Sequence, residues 1–331
     1  MNEFEAIRAF FDWPTTHTEL GVGDDAALCA VPDGQLLAIS SDMLVAGRHF
    51  FADVDPESLG HKALAVNLSD MAAMGATPRQ FTLALALPTM DTDWLTRFAK
   101  GLRRTASTFQ CDLVGGDTTA GPLNISITIM GEVAKGQALK RSGAKVGDDL
   151  YVTGALGAAR LGLWYRSQRL RHALPQASAA AAIQAMDWPV PRVALGLALR
   201  GVASAAMDLS DGLAGDVRHM AKASQCHAEV HLSDVPVAPC VLQAQGINPA
   251  LFATQGGDDY ELLFAASPEQ RDCIQTISTT LAIPITRIGT MRAAVAGADV
   301  SFVSPDGRDI SDTLQGFDHF ASDPVQQASA P

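Results

Sequence analysis

The chain has 331 residues, which at roughly 100–200 residues per domain suggests two domains. Hydrophobic residues make up 47% and charged residues 18%, which supplies a packed core and excludes a wholly disordered chain. Lys and Arg number 24 against 36 Asp and Glu, a net charge of −12. That balance excludes the basic footprint of a nucleic-acid binder and leaves carboxylates for external cations to neutralise.

In chain order, residues 1–13 predict a short helix with Phe4, Ile7, Phe10 and Phe11 on one face. A turn-rich segment carrying Gly21-Val22-Gly23-Asp24-Asp25 follows, then a strand over Leu36–Ser40 that runs into Ser41-Asp42. Residues 56–75 predict a helix, with Pro56 at its start and Gly75 at its end. Phe81–Leu87 alternates like a strand, and Thr92–Phe109 is an amphipathic helix. Leu113-Val114 leads into Gly115-Gly116-Asp117-Thr118-Thr119, and Asn124–Val133 is a further strand. The polar, glycine-bearing stretch from Lys140 to Asp148 marks a domain boundary. The predicted division is residues 1–140, residues 141–320 and a flexible tail over 321–331.

In the second half Leu150-Tyr151-Val152 begins a strand, and 155–200 is helical in pattern with breaks at Pro189 and Pro191. Ala205-Ala206-Met207 leads to Asp208-Leu209-Ser210-Asp211-Gly212 and a helix to about Ala223. Strand-like pieces recur at 228–232, 261–266 and 285–290. Helices and strands mix without strict alternation, so the expected class is α+β rather than a doubly wound sheet. Leu68-Ser69-Asp70 stands 47 residues before Gly115-Gly116-Asp117, and Leu209-Ser210-Asp211 stands 47 before Gly256-Gly257-Asp258. The match raises an internal duplication, although Leu-Ser-Asp at 232–234 and Val-Gly-Asp-Asp at 146–149 show that such tripeptides also serve as turns and caps.

Five cysteines (Cys29, Cys111, Cys226, Cys240 and Cys273) are widely spaced, without a Cys-x-x-Cys pair. They point to a reducing compartment and away from a disulfide framework or zinc ribbon. No signal-peptide pattern and no membrane-spanning apolar run is present, so the expectation is a cytoplasmic protein without a membrane partner.

The familiar nucleotide signatures are missing. There is no Gly-Lys dipeptide and hence no P-loop, and no His-Glu-x-x-His or Gly-x-Ser-x-Gly. Gly21-x-Gly23-x-x-Ala26 fits a loose dinucleotide fingerprint, but Asp24 and Asp25 would repel a pyrophosphate there. What remains is a set of carboxylates at turns and element ends: Asp24, Asp25, Asp42, Asp70, Asp117, Asp208, Asp211, Asp258 and Asp259. Mg2+ takes oxygen ligands, usually one or two carboxylates plus substrate phosphates. Glycine pairs let backbone amides approach a phosphate. Together they fit phosphoryl chemistry assembled by magnesium, whereas each motif alone is equally a helix cap or Asx-turn.

Eight motifs in order carry a family resemblance: Gly21–Ala27, Ile39–Asp42, Gly47–Phe50, Asn67–Gly75, Gly115–Thr119, Arg141–Gly143, Met207–Leu213 and Gly256–Leu262. The set resembles the thiamine-monophosphate kinases, of the superfamily that includes aminoimidazole ribonucleotide synthetase and selenophosphate synthetase. The resemblance implies two α+β domains, the N-terminal one building the ATP site and pairing in a homodimer. It implies transfer of the ATP γ-phosphoryl group to thiamine monophosphate, the last step of thiamine diphosphate biosynthesis, with several Mg2+ ions and no general base. It places metal ligands at Asp25, Ser40, Ser41, Asp42, Asp70, Asp117, Asp208 and Asp211. ATP contacts fall at Gly116, Asp117, Arg141 and Ser210, and substrate contacts at His49, Asp258 and Phe317. Asp258 stands where the family usually has Glu, Phe317 where it usually has Tyr or Trp, and Ser41 where Thr is commoner. Rival readings are another ATP-dependent synthase of the superfamily and a non-catalytic nucleotide or metal sensor.

Overall fold

The structure is a computed structural model that describes residues 2–23, 26–314 and 316. Helix α1 (Glu3–Phe10) opens with a capping box: Asn2 accepts from the Glu5 amide and Glu5 accepts from the Asn2 amide. The first sheet is built from β1 (Gln35–Val45), β2 (Thr77–Leu87), β3 (Asp112–Ala120) and β4 (Asn124–Ala134). Its spatial order is β1-β4-β2-β3, with β4 antiparallel to both neighbours and β2 parallel to β3. Helices α2 (Pro56–Ala73) and α3 (Thr92–Phe109) cover one face. There Leu83, Leu85, Ile125, Ile127 and Ile129 share a core with Leu59, Leu64, Leu68 and Phe98.

The second sheet contains β5 (Asp149–Thr153), β6 (Ala205–Asp208), β7 (His227–His231), β8 (Leu262–Ala266), β9 (Ile285–Arg292) and β10 (Val300–Val303). The order is β10-β7-β9-β5-β8-β6, antiparallel except for β10 beside β7. Around it lie α4 (Ala158–Arg166), α5 (Gln176–Asp187), α6 (Val193–Ala198), α7 (Leu213–Ala223), α8 (Pro239–Leu242), α9 (Pro249–Thr254) and α10 (Arg271–Leu281). Mixed sheets with helices packed on them make the chain α+β, as the sequence predicts.

Period-2 alternation explains how the two halves join. On β5 and β8, Tyr151, Leu262, Phe264 and Ala266 join the core of the first sheet, while Leu150, Val152, Leu263 and Ala265 face a second core beneath α7. The seam between the sheets is therefore a shared apolar core, with Tyr151 stacked on Phe264 at 5.1 Å. Helix α2 runs through this seam and is buried on nearly every side, which is why its apolar and small residues lack a clean stripe. Glycines set its distance from its neighbours. A Cβ on Gly60 would lie 2.1 Å from the Phe98 carbonyl oxygen on α3, and one on Gly196 of α6 would lie 2.0 Å from that of Ala72.

The two 47-residue pairs do not share local structure. Leu68-Ser69-Asp70 lies inside α2, whereas Leu209-Ser210-Asp211 is the turn between β6 and α7. Gly115-Gly116-Asp117 lies within β3, but Gly256-Gly257-Asp258 is a loop before β8. The equal spacing does not mark a structural repeat.

Candidate active site

Ser40 and Asp42 alternate inward from β1, toward α2. The Ser40 hydroxyl donates to Oδ2 of Asp70 at 2.5 Å, and the Asp42 amide donates to the Asn67 side-chain oxygen at 3.2 Å. From the other domain, Asp208 at the end of β6 is buried and accepts from the Ser69 hydroxyl at 2.8 Å. A cavity of about 220 Å3 opens at this junction, lined by Ser40, Asp70, Arg141, Asp208 and apolar residues of β1, α2 and β6.

The electrostatics are those of carboxylates crowded without enough cations. Burial, then the neighbouring Asp70 and Asp208, push the Asp42 carboxyl up to about 7. Asp208 rises to about 6, through burial and then Asp70, against the stabilising Ser69 hydrogen bond and the Arg141 charge. Asp70 is raised by burial despite Ser40 and Arg141. Beneath them, Asp216 of α7 reaches about 8, through burial and then Asp211 and Asp208, although it accepts from the Asp211 amide at 3.2 Å. A divalent cation relieves such a site because it replaces protons with a charge held by hard oxygens.

The loop 209–212 packs backbone to backbone on the loop 256–258. The Asp258 amide donates to the Ser210 carbonyl at 2.9 Å, and the Tyr260 amide donates to that of Leu209 at 2.9 Å. Gly212 is left-handed (φ +97°), and a Cβ there would meet the Gly256 carbonyl oxygen at 2.7 Å. Asp258 and Tyr260 also take left-handed φ angles, of +65° and +48°, which non-glycine residues seldom adopt. Asp258 pairs with Lys62 of α2 at 2.7 Å across the seam. Next to it, Glu261 accepts from Thr153 at 2.6 Å and from Arg192 at 2.7 Å.

The fold thus gathers Ser40, Asp42, Asp70, Arg141 and Asp208, while Asp211 lies beside Asp216. It does not bring every expected residue there. Ser41 points to the opposite face of the first sheet, where its hydroxyl bonds the Ile127 carbonyl at 3.2 Å and shares a 3.0 Å contact with Thr128 Oγ1. Asp117 sits on that same face, in the cross-strand row Met43, Ser126, Ala84, Asp117. Gly116 (φ +148°) is required by β2, because a Cβ would lie 1.8 Å from the Leu83 carbonyl oxygen. His49 occupies the turn after β1, where its Nδ1 accepts from the Val45 amide at 3.0 Å. Asp25 and Phe317 lie outside the described residues. Among the described residues, no three His, Cys, Asp or Glu side chains converge tightly enough to hold a metal by themselves.

Sequence reasoning did not single out Lys62, Ser69, Tyr260 or Asp216. Lys62 had a readable signal: it is the one charged residue between Glu57 and Asp70 on a helix otherwise rich in apolar and small residues.

Two models of AIR synthase related proteins match the chain, the N-terminal domain over residues 23–133 and the C-terminal domain over residues 145–298. A two-domain AIR synthase related protein is therefore the class that fold and seam define. The thiamine-monophosphate kinase of Salmonella typhimurium is 44% identical over 97% of this chain and 98% of its own. The crystal structure of thiamine-monophosphate kinase from Stenotrophomonas maltophilia K279a is 40% identical with a TM-score of 0.82, covering 92% of this chain and 95% of that one. AaThiL, complexed with AMPPCP and TMP, is 28% identical with a TM-score of 0.77 and covers 96% of each chain. The chain belongs to the thiamine-monophosphate kinase family.

Proposed function

We propose that the protein transfers the γ-phosphoryl group of ATP to thiamine monophosphate, giving thiamine diphosphate and ADP. The observation that carries the reading is the seam cluster of Asp42, Asp70 and Asp208, conjoined from both domains of a chain 44% identical to a thiamine-monophosphate kinase along nearly its whole length. The relative solved with AMPPCP and TMP supports ATP and the thiamine ester as the two substrates.

The acceptor is a phosphate monoester with a second pKa of about 6, so it is largely dianionic at neutral pH. A dianionic acceptor of this kind needs no strong base to attack. The difficulty is bringing two anions together in line. Mg2+ bound at Asp42, Asp70, Asp208 and Asp211, with Ser40 beside them, would supply the positive charge that transfer requires. Arg141, on the cavity wall, adds a permanent charge for the nucleotide phosphates. Mg2+ held there would favour the ionised forms of Asp42 and Asp208, whose carboxyls are raised by burial first and then by neighbouring carboxylates.

We infer a homodimer formed through the first sheet. Among the described residues, the face of the sheet away from α2 exposes Leu37 (41%), Ile39 (61%) and Met43 (55%), and β1 is the outermost strand, with its far edge unpaired. A long apolar edge of this kind needs a cover, and a second copy supplies one. No helix among the described residues is long and apolar enough to cross a membrane. The described cysteines are all free thiols, which supports a cytoplasmic setting.

The test is an incubation with thiamine monophosphate, ATP and magnesium, and a parallel one with EDTA, followed by oxidation to fluorescent thiochromes and separation. Thiamine diphosphate forms only in the first. ATP binding without diphosphate would instead point to a sister synthase or a sensor.

A further inference from the structure

Helix α2 reaches across the seam with two side chains seven residues apart. Lys62 donates to Asp258 Oδ2 at 2.7 Å, and Ser69 donates to Asp208 Oδ2 at 2.8 Å. Seven residues complete two helical turns to within about 20°, so both side chains leave one face, about 10 Å apart along the axis. Each hooks a carboxylate of the second domain. Ser69 holds the carboxylate of the metal cluster, and Lys62 holds the one that lies beside it in the 256–258 loop.

The Lys62 pair is unusual in its environment. The Lys62 side chain is 5% exposed, while that of Asp258 is 41% exposed. Burying an ammonium group carries a desolvation cost that an ion pair seldom recovers as stability, so stability alone does not explain Lys62. The other Asp258 oxygen is also engaged, because the buried Tyr260 donates its hydroxyl to Oδ1 at 3.3 Å. Burial, and then the charges of Asp258, Asp42 and Asp208, push that hydroxyl well above its ordinary range.

We propose that Lys62 is a positioning residue for the phosphoryl acceptor. From α2 it fixes the Asp258 carboxylate at a set distance from Asp208, and so sets where the thiamine ester lies relative to the nucleotide. The inference rests on the kinase reading above and adds the residue that places its acceptor. On this reading the half-exposed side of the Asp258 carboxylate is the one left open to the acceptor, while Lys62 holds the other side.

The test is steady-state kinetics of the full-length wild type and of Lys62→Met, Lys62→Arg, Asp258→Asn and the Lys62→Met/Asp258→Asn double variant, with melting temperatures alongside. Lys62→Met raises KM for thiamine monophosphate about tenfold and moves KM for ATP by less than about twofold. Lys62→Arg restores most of the loss because it keeps the charge. The double variant has no higher KM for thiamine monophosphate than Asp258→Asn alone, because Lys62 acts on the acceptor through Asp258. Equal rises in both KM values, a fall in kcat alone, or additive effects would overturn the proposal. Met keeps the length of the lysine stem. If Lys62→Met nevertheless fails to fold, Asp258→Asn, altered from the exposed side, must show the same acceptor-selective rise or the proposal fails. A wild type that makes no thiamine diphosphate removes the kinase reading and the proposal together. An active wild type with unselective variants removes the proposal alone.

Discussion

Asp70 is the residue on which the cluster turns. It accepts from Ser40, raises Asp42 and Asp208 through its charge, and lines the cavity with both domains' residues. Asp70→Asn keeps the shape and removes the charge, so it should lower kcat by at least about 100-fold, the scale of a lost electrostatic catalytic group, with an unchanged far-ultraviolet circular dichroism spectrum. A fully active Asp70→Asn variant would sink the site assignment. The same crowding predicts a pH dependence for the metal-free protein. Asp42, Asp208 and Asp216 have folded values of about 7, 6 and 8, above the ordinary carboxyl range. A raised carboxyl binds protons more tightly folded than unfolded, so its contribution is full below about pH 4 and is lost as pH rises through the folded value. The melting temperature without metal should therefore fall between pH 5.5 and 8.5, and saturating Mg2+ should recover most of that loss at pH 8.5. A metal-free melting temperature that climbs over this interval, or is indifferent to Mg2+ at its upper end, would contradict the crowding.

Among the elements, α2 does the most, and its packing depends on glycine. Gly196 brings α6 so close that a Cβ would lie 2.0 Å from the Ala72 carbonyl oxygen, two residues beyond Asp70. Gly196→Ala must push α6 away from α2. It should cost about 1–3 kcal/mol, the usual scale of overpacking, read as a lower midpoint in urea. It should also weaken turnover, because Asp70 and Asp208 meet across the same seam. A variant with wild-type midpoint and rate would show that the seam tolerates separation. The course of α2 itself was legible, from Pro56 to the glycine after its end, because caps and breakers are local signals. β3 was less so. Gly115-Gly116-Asp117 reads as a turn, yet it continues the strand, with a bulge opposite Phe81 and Thr82. There glycine serves a close approach to Leu83, which only the partner strand can reveal. β1 runs to Val45, past the polar Ser40-Ser41-Asp42, because the inward polar residues meet a site instead of a core. Helix α10, although amphipathic, and the four-residue strand β10 were not read from the sequence. The carboxylates of the cluster were named from motif order, but which of them meet was hidden. Their contacts join residues up to 139 positions apart, and separate Asp117 from Asp42 by strand alternation alone.

For the whole molecule, that alternation gives the first sheet two different lives. Asp42 faces α2 with Ile127 and Leu83, inside the protomer, while Ser41, Met43 and Asp117 share the face away from α2 with Ile39. An isologous dimer through this face would bury Ile39 twice, once in each subunit. It would also carry Asp117 from an open surface into an enclosed one, where a carboxylate can act on a nucleotide. Ile39→Glu introduces two like charges across the two-fold axis and offers neither a partner. By light scattering after gel filtration, the wild type should run at twice the chain mass and Ile39→Glu at the chain mass. Turnover should fall with assembly, because the face that carries Asp117 then opens to water. Ala38→Ser, on the inward side of the same strand, should leave the mass unchanged. A wild-type monomer, or a dimer indifferent to Ile39→Glu, would mean that something other than a second copy covers β1, and that Asp117 serves the reaction, if at all, from an exposed strand.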